Sequence, residues 1–369
     1  MNKPQIIPAL TSIRGLAALF VLFYHVAGSF SNFEFGFFKL FHSGHLSVDL
    51  FFVLSGFIMH HVYFTPNRIP RFTTFFKSFM ISRMARLYPL HIVTLLFLLF
   101  IIIVVPGYSD RYASESFSPI SFLLNLFLIQ NWGFIGPSWN LVSWSISAEW
   151  FMYLLFPFIL VCSQYFPINK IKWIYLFFTL LILSTHYLLI YFLDLNGYGG
   201  ISLGGMIRVS FEFSLGFCVY GFRCFLVRNE TLRQSNTISA LLLILIFTSI
   251  TWSSFYYLFL PSVALFILNL SLADNVISRQ FERKTMMWLG EISYSLYMWH
   301  YIVIQIGNYL LSRKFFIIEE NIDLVIFFIT VTAISLILAH YSHMYVEKKG
   351  QRFILNVFKS KKREALIVQ

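Results

Sequence analysis

An arginine and a histidine, Arg14 and His25, stand eleven residues apart in a stretch that is otherwise largely apolar. At about 100° per residue, eleven steps leave a remainder of about 20°, so both side chains project from one helix face, about 16 Å apart along the axis. A guanidinium suits an anion and an imidazole takes a proton, so the pair reads as a rail with an anion-binding end and a proton-accepting end. Ionisable residues inside a bilayer mark a functional site by default. The plainer readings are a topology signal for Arg14 and a histidine satisfied within a helical bundle for His25.

Four further groups carry chemistry by type and spacing. Asp49 falls at a depth close to that of His25 on the next apolar segment; a carboxylate beside a histidine orients its ring and stabilises the imidazolium, although Asp49 also suits a helix cap or a structural pair. Arg83 and Arg86 share a helical face at i,i+3 in the predicted loop before the third apolar segment, and their donor forks suit phosphate. Basic residues are expected at an inner membrane interface in any case. Ser145 and Glu149 are four apart beside Trp144 and Trp150, a set that suits a sugar ring and equally an interfacial aromatic belt. Tyr297 and His300, three apart, are neighbours on one face. Arg208 and Glu212, four apart, read as a buried ion pair that holds helices together. A metal is not expected: His60 and His61 point to different faces, His42 and His45 lie in a loop, His340 and His343 sit at a helix end, and none is joined by further ligands.

The elements that position these groups follow from composition. Of 369 residues, 58% are hydrophobic, 20% aromatic and 12% charged, too apolar for an ordinary soluble domain. Crossing about 30 Å of hydrocarbon takes roughly 20 apolar residues. Such runs lie near 13–31, 46–65, 87–105, 144–162, 172–193, 203–222, 238–255, 256–273, 288–311 and 322–346. The expectation is an all-α, polytopic transmembrane helical bundle of about ten spans. A shorter segment, 119–130, is expected to re-enter rather than cross, its free backbone groups satisfied by protein.

Orientation follows from Lys and Arg, which concentrate in cytoplasmic loops. With both termini inside, the inner segments collect Lys3, Arg14, Arg68, Arg71, Lys77, Arg83, Arg86, Lys170, Lys172, Arg223, Arg228, Arg233, Arg279, Arg283, Lys284 and the tail from Lys348 to Arg363. Only Lys39, Arg111, Arg208, Arg313 and Lys314 fall outside or in outer halves of helices. The net charge of +11 is therefore juxtamembrane, explained by topology and anionic lipid, and gives no case for nucleic acid. Cys162, Cys218 and Cys224 offer neither a disulfide framework nor a thiolate metal site. The first apolar stretch is longer than a signal-peptide core and carries Arg14 and His25, so an uncleaved helix is expected. The expected division is an integral-membrane domain over 1–352 and a basic cytoplasmic tail over 353–369.

Taken together, Arg14 and His25, the run Ser47-Val48-Asp49-Leu50-Phe51-Phe52-Val53-Leu54-Ser55-Gly56-Phe57, Arg83 and Arg86 before Tyr88-Pro89, Ser143-Trp144-Ser145-Ile146-Ser147-Ala148-Glu149, and Leu289-Gly290-Glu291-Ile292-Ser293-Tyr294-Ser295-Leu296-Tyr297-Met298-Trp299-His300 resemble the acyltransferase-3 family of integral-membrane O-acyltransferases. The likeness runs from about residue 6 to about residue 352; near its end Lys349 stands where the family usually has proline. The resemblance implies a ten-helix domain in the bacterial inner (plasma) membrane, with acyl-CoA, by default acetyl-CoA, as donor. It implies a cell-surface glycan such as O-antigen or exopolysaccharide, a lipid-linked saccharide or a small hydroxylated molecule as acceptor. It further implies a catalytic His25 and functional roles for Arg14, Arg83, Arg86 and Glu149. Many members carry an added esterase-like domain, and here only the basic tail follows the last apolar run. On these grounds His25, Asp49 and Glu149 are the expected catalytic residues. Arg14, Arg83 and Arg86 are expected to hold the donor, and Ser145, Trp144, Tyr297 and His300 the acceptor. The alternative class is a secondary transporter or flippase, which predicts inverted repeats; residues 1–170 and 171–369 show no convincing repeat.

Overall fold

The computed structural model describes residues 6–30, 36–64, 71–108, 116–134, 139–165, 168–193, 203–227, 229–318 and 320–367; Lys3, Arg68, Arg111 and Arg228 lie outside them. All regular structure among the described residues is helical. Its α-helices are α1 (Pro8–Gly28), α2 (Ser47–Tyr63), α3 (Phe72–Val104), α4 (Pro119–Leu126), α5 (Trp144–Ser163), α6 (Ile168–Leu193), α7 (Leu203–Leu226), α8 (Glu230–Gln234), α9 (Asn236–Thr251), α10 (Phe259–Leu272), α11 (Val276–Phe281), α12 (Lys284–Glu291), α13 (Ser293–Ser312), α14 (Asn321–Ser342) and α15 (Lys348–Ile367). Seven helical segments are long and apolar enough to cross a membrane: Pro8–Gly28, Leu40–Tyr63, Phe72–Val104, Leu141–Ser163, Gly204–Leu226, Ser254–Leu272 and Asn321–Phe358.

Seven of the ten expected apolar runs coincide with these segments, whereas 172–193 and 238–255 fall on the shorter apolar helices Lys172–Leu188 and Asn236–Thr251, and three further differences concern detail. The first concerns Arg83 and Arg86, placed by the sequence in a loop: α3 starts at Phe72, so both lie within a 33-residue helix. Hydropathy finds where a helix becomes apolar, whereas the helix itself begins earlier, through a polar and aromatic stretch. Second, the run 288–311 is two helices, α12 and α13, with a turn at Ile292. Third, α14 passes through a π-turn, His343–Glu347, into α15, which continues across the expected boundary at residue 352.

The helices form two compact units, Met1–Asn67 with Cys162–Ser293, and Arg68–Val161 with Tyr294–Gln369. In the first, α2 and α7 meet backbone to backbone. A Cβ on Gly56 would lie 1.9 Å from the Phe213 carbonyl oxygen, and one on Gly216 would lie 1.8 Å from that of Val53. Small residues permit this approach where apolar burial gives no preference for protein over lipid.

In the second unit, α3 exposes Val93, Leu96, Phe100 and Ile103 along one stripe, as a lipid-facing helix must. The eight-residue α4 rises only about 12 Å, too little to cross. Its Ser118 caps the first turn by accepting from Ser121 N at 3.1 Å. In the irregular backbone that follows, Leu128 O accepts from Ser147 Oγ at 2.8 Å and Asn131 N donates to the same hydroxyl at 3.2 Å, while the side chains of Gln130 and Trp132 donate to Ser143 O and Ser147 O at 3.2 and 3.1 Å.

Candidate active site

The first unit carries Arg14, His25 and Asp49. Arg14 is half-buried on α1, where its Nε donates to Ser293 Oγ at 2.9 Å and its Nη2 to Gly290 O at 3.0 Å. Two glycines make that reach possible. A Cβ on Gly290 would lie 2.1 Å from Thr11 O, and one on Gly15 would lie 2.6 Å from Gly290 N, so α1 and α12 touch along their main chains. His25 lies in the last turn of α1, half-buried, its ring 4.9 Å from that of Tyr24.

Asp49, expected to orient His25, is the carboxylate that Arg208 Nη2 reaches, and Arg208 Nε binds Glu212 Oε1 at 3.2 Å. The sequence-predicted Arg208–Glu212 pair is therefore present and extends to a third charge. One guanidinium is shared by two carboxylates whose side chains are 7% and 0% exposed, which ties α2 to α7 beside the glycine contact. The physical reason is desolvation: a buried carboxylate requires a partner of opposite charge, and Arg208 supplies one that a neutral histidine would not.

The second unit carries the remaining candidates. Ser145 Oγ and the Tyr297 hydroxyl are 2.7 Å apart, and that hydroxyl also donates to Val142 O at 3.0 Å, so two residues predicted separately are in direct contact. His300 is fully buried, with its ring 5.6 Å from that of Tyr297 as the i,i+3 spacing requires, and Nδ1 3.2 Å from Leu296 O. Trp144 and Glu149 are half-buried. The Tyr153 hydroxyl donates to Glu149 Oε1 at 2.7 Å, while the same ring lies 5.8 Å from the Arg83 guanidinium. Tyr153 thus links an acceptor-side candidate to a donor-side one, a role no spacing rule picked out. Arg86 Nη1 binds Glu347 Oε2 at 2.5 Å and its guanidinium faces the Tyr294 ring at 5.6 Å. Tyr294 and Ser295 are legible in the sequence only as letters within a motif, and nothing in its spacing singles out Glu347. Among the described residues no three His, Cys, Asp or Glu side chains group as a metal site.

A helical membrane chain with arginines and a histidine built into its apolar segments is the kind of protein this architecture defines. The chain belongs to the family whose profile is described as an acyltransferase domain, which matches residues 7–340. It is a multi-pass membrane protein by its apolar helices and that membership. A provisionally named O-acetyltransferase of Staphylococcus aureus (strain COL) is 23% identical over 94% of this chain and 57% of its own length. The peptidoglycan O-acetyltransferase OatA of Listeria monocytogenes is 26% identical over 92% of this chain and 55% of its own. A provisionally named peptidoglycan O-acetyltransferase of Bacillus subtilis, YrhL, is 24% identical over 93% and 54% respectively. This chain spans a little over half the length of these relatives. No solved structure matches it.

Proposed function

We propose that the protein moves an acetyl group from cytoplasmic acetyl-CoA to a hydroxyl of an extracytoplasmic carbohydrate. The observation that carries this reading is the placement of Arg14 and His25 on the single helix α1, within a family of acyltransferases. An arginine anchored at one end and a proton acceptor at the other suit a long anionic donor whose reactive thioester lies far from its phosphates. The names of the Listeria and Bacillus relatives favour a surface glycan as acceptor, peptidoglycan beside O-antigen and exopolysaccharide.

His25 acts as general base. It takes the acceptor's hydroxyl proton, the oxygen attacks the thioester carbonyl, the C–S bond breaks, and the departing thiolate recovers the proton from the imidazolium. Its place in the last turn of α1, at the negative end of the helix dipole, favours the ring while it is charged. Arg14, Arg83 and Arg86 hold the donor's phosphates through charge-assisted bonds. Glu149, Ser145, Trp144, Tyr297 and His300 serve the acceptor: hydroxyls and a carboxylate for its polar groups, an aromatic face for its ring. Asp49 acts at one remove, by fixing α2 against α7 through Arg208. Ten spans with both termini cytoplasmic, in the plasma membrane, place donor and acceptor on opposite sides.

The test is mass spectrometry of peptidoglycan, surface polysaccharide and lipid-linked glycans from cells with the wild type, His25→Ala or no protein. An acetyl increment confined to the wild type supports the proposal. An increment retained in His25→Ala removes the histidine from the mechanism, and identical glycans in all three remove the glycan acceptor.

A further inference from the structure

Arg86 uses its donors unevenly. One nitrogen, Nη1, binds Glu347; among the described residues Nε and Nη2 make no hydrogen bond, and the side chain is 26% exposed. Nε and Nη2 form the edge with which a guanidinium grips an oxyanion through two parallel bonds. The opposite side of the group is fixed. Glu347 is 2% exposed, gives Oε2 to Arg86 and accepts from the Ser295 hydroxyl at Oε1, with His343 Nδ1 3.4 Å from Oε2. The Tyr294 ring covers one guanidinium face, and its hydroxyl is tied to Leu87 O at 2.8 Å. Glu347 closes the π-turn His343–Glu347, and such turns are frequent at functional sites because the wider turn re-aims a side chain.

A role in stability alone explains this poorly. Buried ion pairs are often neutral or worse than apolar packing of equal volume, and Lys349 and Arg352 stand close in sequence as exposed cations if only neutralisation were needed. We infer that Glu347 is a positioning residue, which with Ser295 and Tyr294 holds Arg86 so that its Nε–Nη2 edge is ready for a phosphate of the donor. This rests on the donor reading given above. A guanidinium on a flexible stem must otherwise be ordered when the anion binds, and holding it beforehand removes that cost.

The experiment is CoA binding by the purified full chain in nanodiscs, by calorimetry, with thermal unfolding recorded on every sample. Glu347→Gln keeps shape and removes charge, and is expected to weaken CoA binding about tenfold, as loss of an orienting partner does elsewhere. Ser295→Ala is expected to weaken it about threefold, the scale of one lost hydrogen bond. In an Arg86→Gln background, adding Glu347→Gln should change CoA affinity no further, a coupling that a merely structural role would not produce. Glu347→Gln with wild-type affinity, or equal losses in both backgrounds, overturns the inference and leaves the donor reading standing. Wild-type protein that fails to bind CoA overturns both. Should Glu347→Gln not fold, Ser295→Ala decides, and wild-type affinity there overturns the inference.

Discussion

Gly290→Ala tests whether the contact between α1 and α12 sets the position of Arg14. The new Cβ would lie 2.1 Å from Thr11 O and 2.5 Å from Thr11 C, where ordinary contact begins at 3.4 Å. Both obstructing atoms are main chain, so no side chain can rotate away, and the helices must part locally by about 1.3 Å. Overpacking of this kind costs about 1–3 kcal/mol. The same displacement carries Arg14 away from Ser293 Oγ and Gly290 O, now at 2.9 and 3.0 Å, at about 0.5–1.5 kcal/mol per bond. A misplacement of about 1 Å also lowers rates by about 10²-fold. Thermal unfolding in detergent and glycan acetylation in cells should therefore both fall. Gly28→Ala is the control, since its Cβ would meet nothing within 4 Å, and it should match the wild type. A Gly290→Ala protein as stable and active as Gly28→Ala would refute the claim that this contact positions Arg14.

Arg208→Met strands Asp49 and Glu212 without their cation and should destabilise the fold by about 3–5 kcal/mol, measured by thermal unfolding; neutralising both carboxylates in the same variant should restore most of the loss. Tyr297→Phe removes the hydroxyl that meets Ser145 Oγ and Val142 O, and should cost about 1–3 kcal/mol in acceptor use, read as a raised acceptor KM with CoA affinity unchanged. Tyr153→Phe releases Glu149 but keeps the ring beside Arg83, so acetyl transfer should drop while CoA binding holds; Tyr153→Leu should impair both.

The sequence displayed the helices because the bilayer demands them: a run of about 20 apolar residues has few other fates. It also displayed contacts within a helix, such as Arg208 with Glu212 and Tyr297 with His300, since spacings of three and four fix them. What it concealed were partners on other helices. Asp49 and Arg208 are 159 residues apart, Ser145 and Tyr297 152, and Arg86 and Glu347 261, and no periodicity relates such positions. Along the chain, Asp49 is the carboxylate nearest in depth to His25. In three dimensions a guanidinium already shared with Glu212 takes it. The break at Ile292 and the π-turn at His343–Glu347 were equally hidden, because hydropathy records which residues are apolar and is blind to hydrogen-bond register.

The same accounting separates arginines that build the protein from those that serve its chemistry. Arg208 is 13% exposed and divides its Nε–Nη2 edge between two carboxyl groups, Nε to Glu212 and Nη2 to Asp49. Its Nε and Nη2 donors are already spent on two buried carboxyl groups, so an incoming anion would have to displace them. Arg86, twice as exposed, commits one nitrogen to one carboxylate and keeps a two-donor edge open. Both residues are buried-to-partly-buried arginines in apolar helices, and composition cannot tell them apart. The difference lies in which N–H groups are spent: in Arg208 they hold helices together, and the open edge of Arg86 is what the proposal of a donor site there rests on.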